Sequence, residues 1–560
     1  MAINQAIPKR KTDSVSVAWT IREMLINSPS KMQCKADGAQ ETRHIHRIGE
    51  FLSTTQRRKS LAQAINRRFL KTVLLCLAVP VFSMAVIAKA SSDPKPLGHI
   101  NQYLRLNGEW MSSYEVWNFF RPEAAVDHSY DLWVLRARLG AMFTSSYVDG
   151  FAQGQYIGLY GLPNDAVVPG GGSLGLGAAY FQTNETTAAS NVFLKQGFLN
   201  FKLHAWGVPG TSVKAGRFEL TDGMETISGM EKFDALKRRR IAKRLLGGFN
   251  AIYIGRTFDG FSLIHDQPTV NLTVSGVRPT QGNLTVQGQQ QINDINIVFA
   301  ALTGKKDKLL PGTEGRLFYM NYDDQRDTQV IDNRSPEARP FLQQQKLDIH
   351  TIGANVLSLH TLGSGSVDAL LWAAYQFGHW TSQPHRAWAI AAEAGYQWTQ
   401  LPLKPWLRAV YYRSSGDSDP HDDQHQTYFS GVPSGRLYAK FPFYNLMNIQ
   451  DAFVEVITSL TPKLQANINV HQLSLGNASD LLYGGLGAAL NSGAFGYSGN
   501  SAGGTSDIGQ LADIALTYTY SKQLTARLYY GHAFGGDVMK NIYPGKSDAN
   551  NFLVDFNLIF

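Results

Sequence analysis

The run EKFDALKRRRIAKRLLGG, residues 231–248, carries the densest charge in the chain: Lys237, Arg238, Arg239, Arg240, Lys243 and Arg244 fall within eight positions. Phe233, Leu236, Ile241 and Leu245 are spaced to give an apolar stripe, so the run reads as a short amphipathic basic helix inside a long loop. Such a helix can funnel a polyanion or bind the phosphates of lipopolysaccharide; a solvated charge run is the alternative. A second cluster, SSGDSDPHDDQH, gathers Asp417, Asp419, Asp422 and Asp423 with His421 and His425. Oxygen ligands at alternate positions suit a hard cation, but Gly416 and Pro420 punctuate the stretch as a solvated loop, and no metal is assigned. No H-E-x-x-H or Walker sequence occurs. No catalytic residue and no cofactor is therefore assigned.

The remaining candidates lie on alternating segments, which fixes what must position them. In DLWVLRARLG, Trp133, Leu135, Ala137 and Leu139 share one face, while Arg136 and Arg138 share the other. FLNFKLHA sets Lys202 against Leu199, Phe201 and Leu203. QLTARLYYG sets Arg527 against Leu524, Ala526 and Leu528. In RAWAIAAEAGYQW, Trp388, Ile390, Ala392, Ala394, Tyr396 and Trp398 have one parity and Glu393 the other. A period of two is a strand with one apolar face. Trp388 and Trp398 stand ten residues apart, which is about 33 Å along a strand. Tilted about 40°, that strand spans an apolar band of roughly 25 Å with aromatic residues at both edges. These parities point Arg136, Arg138, Lys202, Arg217 and Arg527 inward, together with Glu219 and Glu393. Inward cations favour anionic solutes if they are free; paired to carboxylates they only brace the wall.

The expected class is all-β, a transmembrane antiparallel barrel rather than a soluble sandwich. The chain is 11% aromatic, strands repeatedly end on aromatic residues, and the last segment, NFLVDFNLIF, alternates to its final residue. Closing that strand onto the first removes the exposed edge. NFLVDFNLIF resembles the terminal signal that barrel-assembly machinery reads, with Phe560 as its aromatic end. Long connections (158–180, 221–250, 323–347, 477–507) alternate with short ones such as TQLPLKP and TPK, the pattern of outer loops and periplasmic turns.

The net charge of +8 is misleading. Residues 1–90 hold 15 basic and 5 acidic side chains, leaving 37 and 39 in 91–560. The body is near neutral, so no nucleic-acid partner is expected. Both cysteines, Cys34 and Cys76, also precede residue 91. Arg67, Arg68 and Lys71, the apolar run Val73–Ile87 and Ala88-Lys89-Ala90 have the layout of a secretory signal peptide. Residues 1–65 read as a disordered leader or a mis-assigned start, 66–90 as the signal peptide and 91–560 as the barrel.

KAGRFELTDGM (214–224), IGRTFDGFSL (254–263) and KPWLRAVYYRSSGDSDPHDDQHQTYFSGVPSGRLYAK (404–440) followed by NLMN (445–448) resemble, in that order, motifs of the alginate export family of outer-membrane proteins. The resemblance implies about 18 strands and an electropositive constriction conducting an anionic polysaccharide. It also implies loops and turns that gate the pore, periplasmic export partners and the outer membrane of a Gram-negative bacterium. On this analogy Arg217, Arg256 and Arg408 join the solute path, with Arg256 at the rim or re-aimed by a bulge. The basic run at 231–248 stands as an insertion between the first two motifs. The alternatives are a general or substrate-specific porin for small solutes and, from another class, a barrel-borne hydrolase at the outer membrane.

Overall fold

The computed structural model describes residues 100–168, 172–248, 253–433 and 437–560; the leader and signal-peptide assignments lie outside these. Eighteen strands form one sheet. In chain order they are β1 Leu104–Asn118, β2 Ser129–Thr144, β3 Val148–Tyr160, β4 Ala188–Lys202, β5 Thr211–Phe218, β6 Phe258–Asp266, β7 Val270–Pro279, β8 Ile295–Gly304, β9 Thr313–Asp324, β10 Leu347–Leu362, β11 Gly365–Trp380, β12 Gln383–Trp398, β13 Trp406–Ser414, β14 Ile449–Thr461, β15 Leu464–Leu475, β16 Asp507–Thr519, β17 Leu524–Gly535 and β18 Ala549–Ile559. Each pairs antiparallel with the next, and β18 returns to β1 in register from Glu109↔Ile559 to Asn118↔Asn550. The sheet is a closed barrel. In lipid no water can bond a free peptide group, so closure is the condition for spanning with strands.

Alternation separates the two faces as the sequence predicts. On β12, Trp388, Ile390, Ala392 and Ala394 face outward and are exposed, while Ala387, Ala389, Ala391 and Glu393 face inward and are buried. On β2 the inward set is Leu132, Val134, Arg136 and Arg138. One end of the barrel carries short turns, such as 145–147, 363–364 and 462–463; the other carries 161–187, 219–257, 415–448 and 476–506. The exception is the two-residue Thr381–Ser382 hairpin between β11 and β12 at the long-loop end.

The long loops do not stand in solvent. Trp117, Phe119, Phe120, Phe441 and Phe443 pack together across the mouth of the barrel, with ring centroids 5.0–6.4 Å apart. Trp380, Phe429, Phe495 and Tyr497 form a second such group. Near the long-loop end, therefore, several inward positions, Trp117 and Trp380 among them, are apolar where they meet this loop core.

At the seam the Gly108 amide donates to the Phe560 carbonyl at 2.7 Å and the Phe560 amide to the Gly108 carbonyl at 3.0 Å. The Phe560 ring covers Gly108 so closely that a Cβ there would lie 2.3 Å from Cε2. Inside the barrel, Ser113 Oγ donates to Asp555 Oδ1 across the same seam at 2.6 Å. Gly108→Val is expected to displace the terminal ring and lower the fraction of heat-modifiable, folded protein on an unheated gel. A yield equal to wild type would show that the ring is not part of the closure.

Candidate functional site: the charged lumen

The basic run lies inside the barrel. Loop 219–257 between β5 and β6 turns inward, and within it Glu231–Leu236 is α-helical and Lys237–Ile241 continues as one π-helical turn. Phe233, Leu236 and Ile241 pack on Leu357, Leu370, Trp406 and Ile457 of the inner wall. The expected amphipathic helix is present, but the loop is a plug and not an outer funnel. Its apolar stripe needs an apolar partner, and the wall supplies one.

Its cations are divided between wall and water. Lys237 Nζ meets Glu314 Oε1 at 2.6 Å. Arg240 Nη2 meets Glu455 Oε2 at 2.5 Å and its Nε lies 3.5 Å from Glu393 Oε2. Arg244 Nη2 lies 3.4 Å from Glu393 Oε1 and donates to the Tyr438 hydroxyl at 2.8 Å. Arg408 completes the cluster from the wall, reaching Asp368 and Glu393 at 3.0 Å and Glu455 at 3.3 Å. All of these side chains are buried. Burial alone would lower the Arg240 guanidinium, but Glu455 and Glu393 outweigh it and hold the group above its ordinary value. Behind the plug, Asp222 accepts the amides of Leu245 and Leu246 at 3.2 and 2.9 Å, and burial pushes its carboxyl up to about 6.

Arg238 is exposed, Arg239 and Lys243 are half-buried, and the three border a cavity of 380 Å³. Arg240, Leu437–Lys440 of loop 415–448, and Glu455, Asn467, Asn469, Asp513, Arg527 and Tyr529 of the wall also line it. Arg239 Nη2 reaches Glu455 Oε1 at 3.3 Å, whereas Arg238 and Lys243 form no ion pair among the described residues. Burial holds the Lys243 amine below its ordinary value.

The other predicted positions divide as follows. Arg136 pairs with Glu109 and donates to the Tyr253 carbonyl; Arg138 donates to Gln155 Oε1 at 2.7 Å and lies 3.3 Å from Glu109 and 3.7 Å from Glu219. Both are inward but covered. Glu219 sits just past β5, between Arg138 and Lys195, which lies 3.9 Å away. Lys202 is at the turn end, paired to Asp149 at 2.7 Å. Arg527 borders the cavity and lies 3.4 Å from Asp555.

Two assignments to the solute path are corrected. Arg217 points outward: Phe218 beside it is buried opposite Phe258, and Arg217 grips Asp259 with two bonds of 2.6 Å. The inward reading of Arg217 fails because Phe218, which alternates with it, belongs to the loop-end core and packs on Phe198. Arg256, just before β6, is fully buried among loops, donating to the carbonyls of Thr280 and Ala488. It holds loop 476–506 and does not line the cavity.

Sequence reasoning missed Glu455, Asp368, Glu314 and Lys195. Parity groups the first two with inward residues: Glu455 shares a face with Phe453 and Ile457, and Asp368 with Leu370 and Trp372. Two G-x-S-x-G stretches, around Ser173 and Ser501, also escaped it. Ser173 Oγ donates to Gln182 Oε1 at 2.6 Å and Ser501 Oγ accepts the Gly503 amide at 3.3 Å; no histidine is bonded to either among the described residues.

Loop 415–448 is held at its outer side by two imidazoles. His425 Nδ1 and His385 Nδ1 are 2.9 Å apart, and the His425 ring stacks on Trp380 at 4.0 Å. One nitrogen must donate and the other accept, so the contact requires that the two rings not both be protonated.

Together the closed sheet, the turn-and-loop asymmetry and the charged lumen define a channel-type barrel of the outer membrane. No helix among the described residues is long and apolar enough to cross a membrane. The chain belongs to the alginate export family, whose profile matches residues 178–552. In fold it is similar to OccK9 (OpdG) of Pseudomonas aeruginosa, with 11% identity over 83% of this chain and 100% of that one and a TM-score of 0.51. It is likewise similar to a BenF-like porin from Pseudomonas fluorescens Pf-5, with 13% identity over 82% and 100% and a TM-score of 0.50. No curated protein matches the sequence. Family and fold are thus those of export and porin barrels rather than of enzymes.

Two outcomes follow from this geometry. Replacing Glu393 and Glu455 together by Gln leaves Arg240, Arg244 and Arg408 without most of their counter-charge, and breaking buried pairs of this kind costs about 3–5 kcal/mol each. The plug is expected to detach, so single-channel conductance rises; unchanged conductance would show that the plug is held by its apolar face alone. Burial, with His385 and the Arg334 charge, holds the His425 imidazole well below its ordinary value. A depressed histidine contributes stability above its unfolded value of about 6.5 that is lost as pH falls. Hydrogen-exchange protection in loop 415–448, taken relative to the intrinsic amide rate at each pH, is expected to fall as pH drops from about 6.5 to 5, and less so in His425→Phe. The variant serves as the reference because Asp417, pushed up to about 7 by burial, titrates in the opposite sense.

Proposed function

We propose that the protein is a passive outer-membrane channel for anionic sugars, an acidic exopolysaccharide or a related sugar acid, in a Gram-negative bacterium. The observation that carries this reading is the unequal use of the plug's cations. Lys237, Arg240 and Arg244 are consumed by wall carboxylates, while Arg238 and Lys243 face the cavity with no ion pair. Unpaired cations in a narrow, partly desolvated space raise the local concentration of anions. Asn467 and Asn469 on the opposite wall add amide groups suited to hydroxyls. Phe560 and the strand before it are proposed to engage the assembly machinery, and the turn end to meet periplasmic export partners.

A second reading, a porin for small acidic solutes, draws on the plug itself. A cavity of 380 Å³ is the size of a small-ligand pocket, so a polymer chain would pass only with the plug displaced. Both readings require anion selectivity, and the test separates them. Reversal potentials across a salt gradient in a planar bilayer are expected to report an anion-selective pore, lost or inverted in Arg238→Glu/Lys243→Glu. Block by added polyuronate would favour the polymer; block by the monomeric uronate alone would favour the small solute. A pore whose selectivity ignores both substitutions would overturn the proposal.

A further inference from the structure

We propose that the outer wall at the long-loop end carries a docking site for a diphosphorylated, multi-acyl glycolipid, built around Arg386, Trp388 and Arg413. The inference is independent of what passes through the pore. Arg386 and Trp388 lie on the outward face of β12, two residues apart, which is about 6.6 Å along a strand. Arg413, outward on β13, places its guanidinium 5.8 Å from the Trp388 ring centroid. The two cations therefore flank one indole on the lipid side of the sheet.

Neither arginine has a carboxylate partner among the described residues. Arg386 is exposed and makes no side-chain hydrogen bond or ion pair with any described residue. Arg413 Nε is buried and unpartnered. This sets them apart from outward cations at the same end of other strands: Arg217 is bound to Asp259, and Arg278 donates to Asn296 at 2.8 Å. An unpaired guanidinium at the edge of an apolar band lacks a counter-charge, and a phosphate accepts its parallel N–H donors.

Charge complementarity and the surface beneath select the occupant. In register with Arg386 stands Phe377, and with Trp388 stands Tyr375, both well exposed. Toward the membrane centre the same face continues as Ile390, Ala392 and Ala394, a surface for acyl chains. Two cations separated by a flat ring fit two phosphates carried on a sugar scaffold better than the single phosphodiester of a glycerophospholipid. The long-loop end is the outward-facing end in barrels of this kind, which places the site at the leaflet facing the cell exterior. The lipopolysaccharide contact expected of residues 237–244 is thereby moved from the plug to the wall.

The test is native mass spectrometry of the full protein in detergent with added bisphosphorylated lipid A, the same lipid after phosphatase treatment, and phosphatidylglycerol. One lipid A is expected to remain bound, with retention about tenfold weaker in Arg386→Gln/Arg413→Gln. The dephosphorylated lipid and phosphatidylglycerol are expected to dissociate from the wild type. Equal retention by the double variant would overturn the site. Equal retention of dephosphorylated lipid would remove the phosphate, and equal retention of phosphatidylglycerol the glycolipid, and either overturns the proposal. The lipid comparison in the wild type decides the matter even if the double variant folds poorly.

Discussion

Every peptide group of a spanning strand must be bonded inside the sheet, because the hydrocarbon around it offers no partner. That requirement closes β18 onto β1 through the Glu109–Asn118 register and brings Phe560 over Gly108. Closure in turn imposes a two-residue alternation, interrupted at bulges such as the one on β4 opposite Gln153 and Gly154, since the same strand must face lipid on one side and the lumen on the other. Once the lumen side is assigned to polar groups, its charges have to be compensated there, away from bulk water. The plug meets that need. Its basic turn supplies the cations that Glu314, Glu393 and Glu455 lack, and those carboxylates supply the anchor that an inward loop needs.

The division of labour among the plug's cations is set partly by the helical turn and partly by the chain beyond it. Within the turn Lys237 and Arg240 reach wall carboxylates while Arg238 does not. The helix ends at Ile241, and past it Arg244 returns to Glu393 while Lys243, with a left-handed backbone, borders the cavity. A run of six basic residues thus becomes a buried strut and a short solvated patch. In the channel proposed above, selectivity rests on the patch and occlusion on the strut, so the two can change independently.

The mouth of the barrel obeys a different rule from its middle. Loops 415–448 and 476–506 bring Phe429, Phe441, Phe443, Phe495 and Tyr497 into the upper lumen, so inward residues there are either apolar or, like Gln376 and His385, bonded to those loops. Outside, at the same level, the wall is aromatic and cationic, as a boundary between acyl chains and charged headgroups demands. Arg217 and Arg413 are both outward arginines near this boundary, yet one has its carboxylate on the neighbouring strand and the other has none.

Much of this was legible in the sequence. The period of two, the paired tryptophans of β12 and the alternation of long loops with short turns determine a barrel, because hydrophobic faces are local and additive along a strand. The inward placement of Arg136, Arg138, Arg527 and Glu393 follows from the same counting. What counting could not reach is anything that depends on a partner distant in the chain. Arg217 looks lumen-facing until the loops that cover Phe218 are placed, and with them it changes sides. The run at 237–244 looks solvated until Glu393 and Glu455, some 150 and 215 residues away, are brought opposite it. Burial and ion pairing are properties of two surfaces together; a sequence specifies each surface, and only the tertiary structure decides which ones meet.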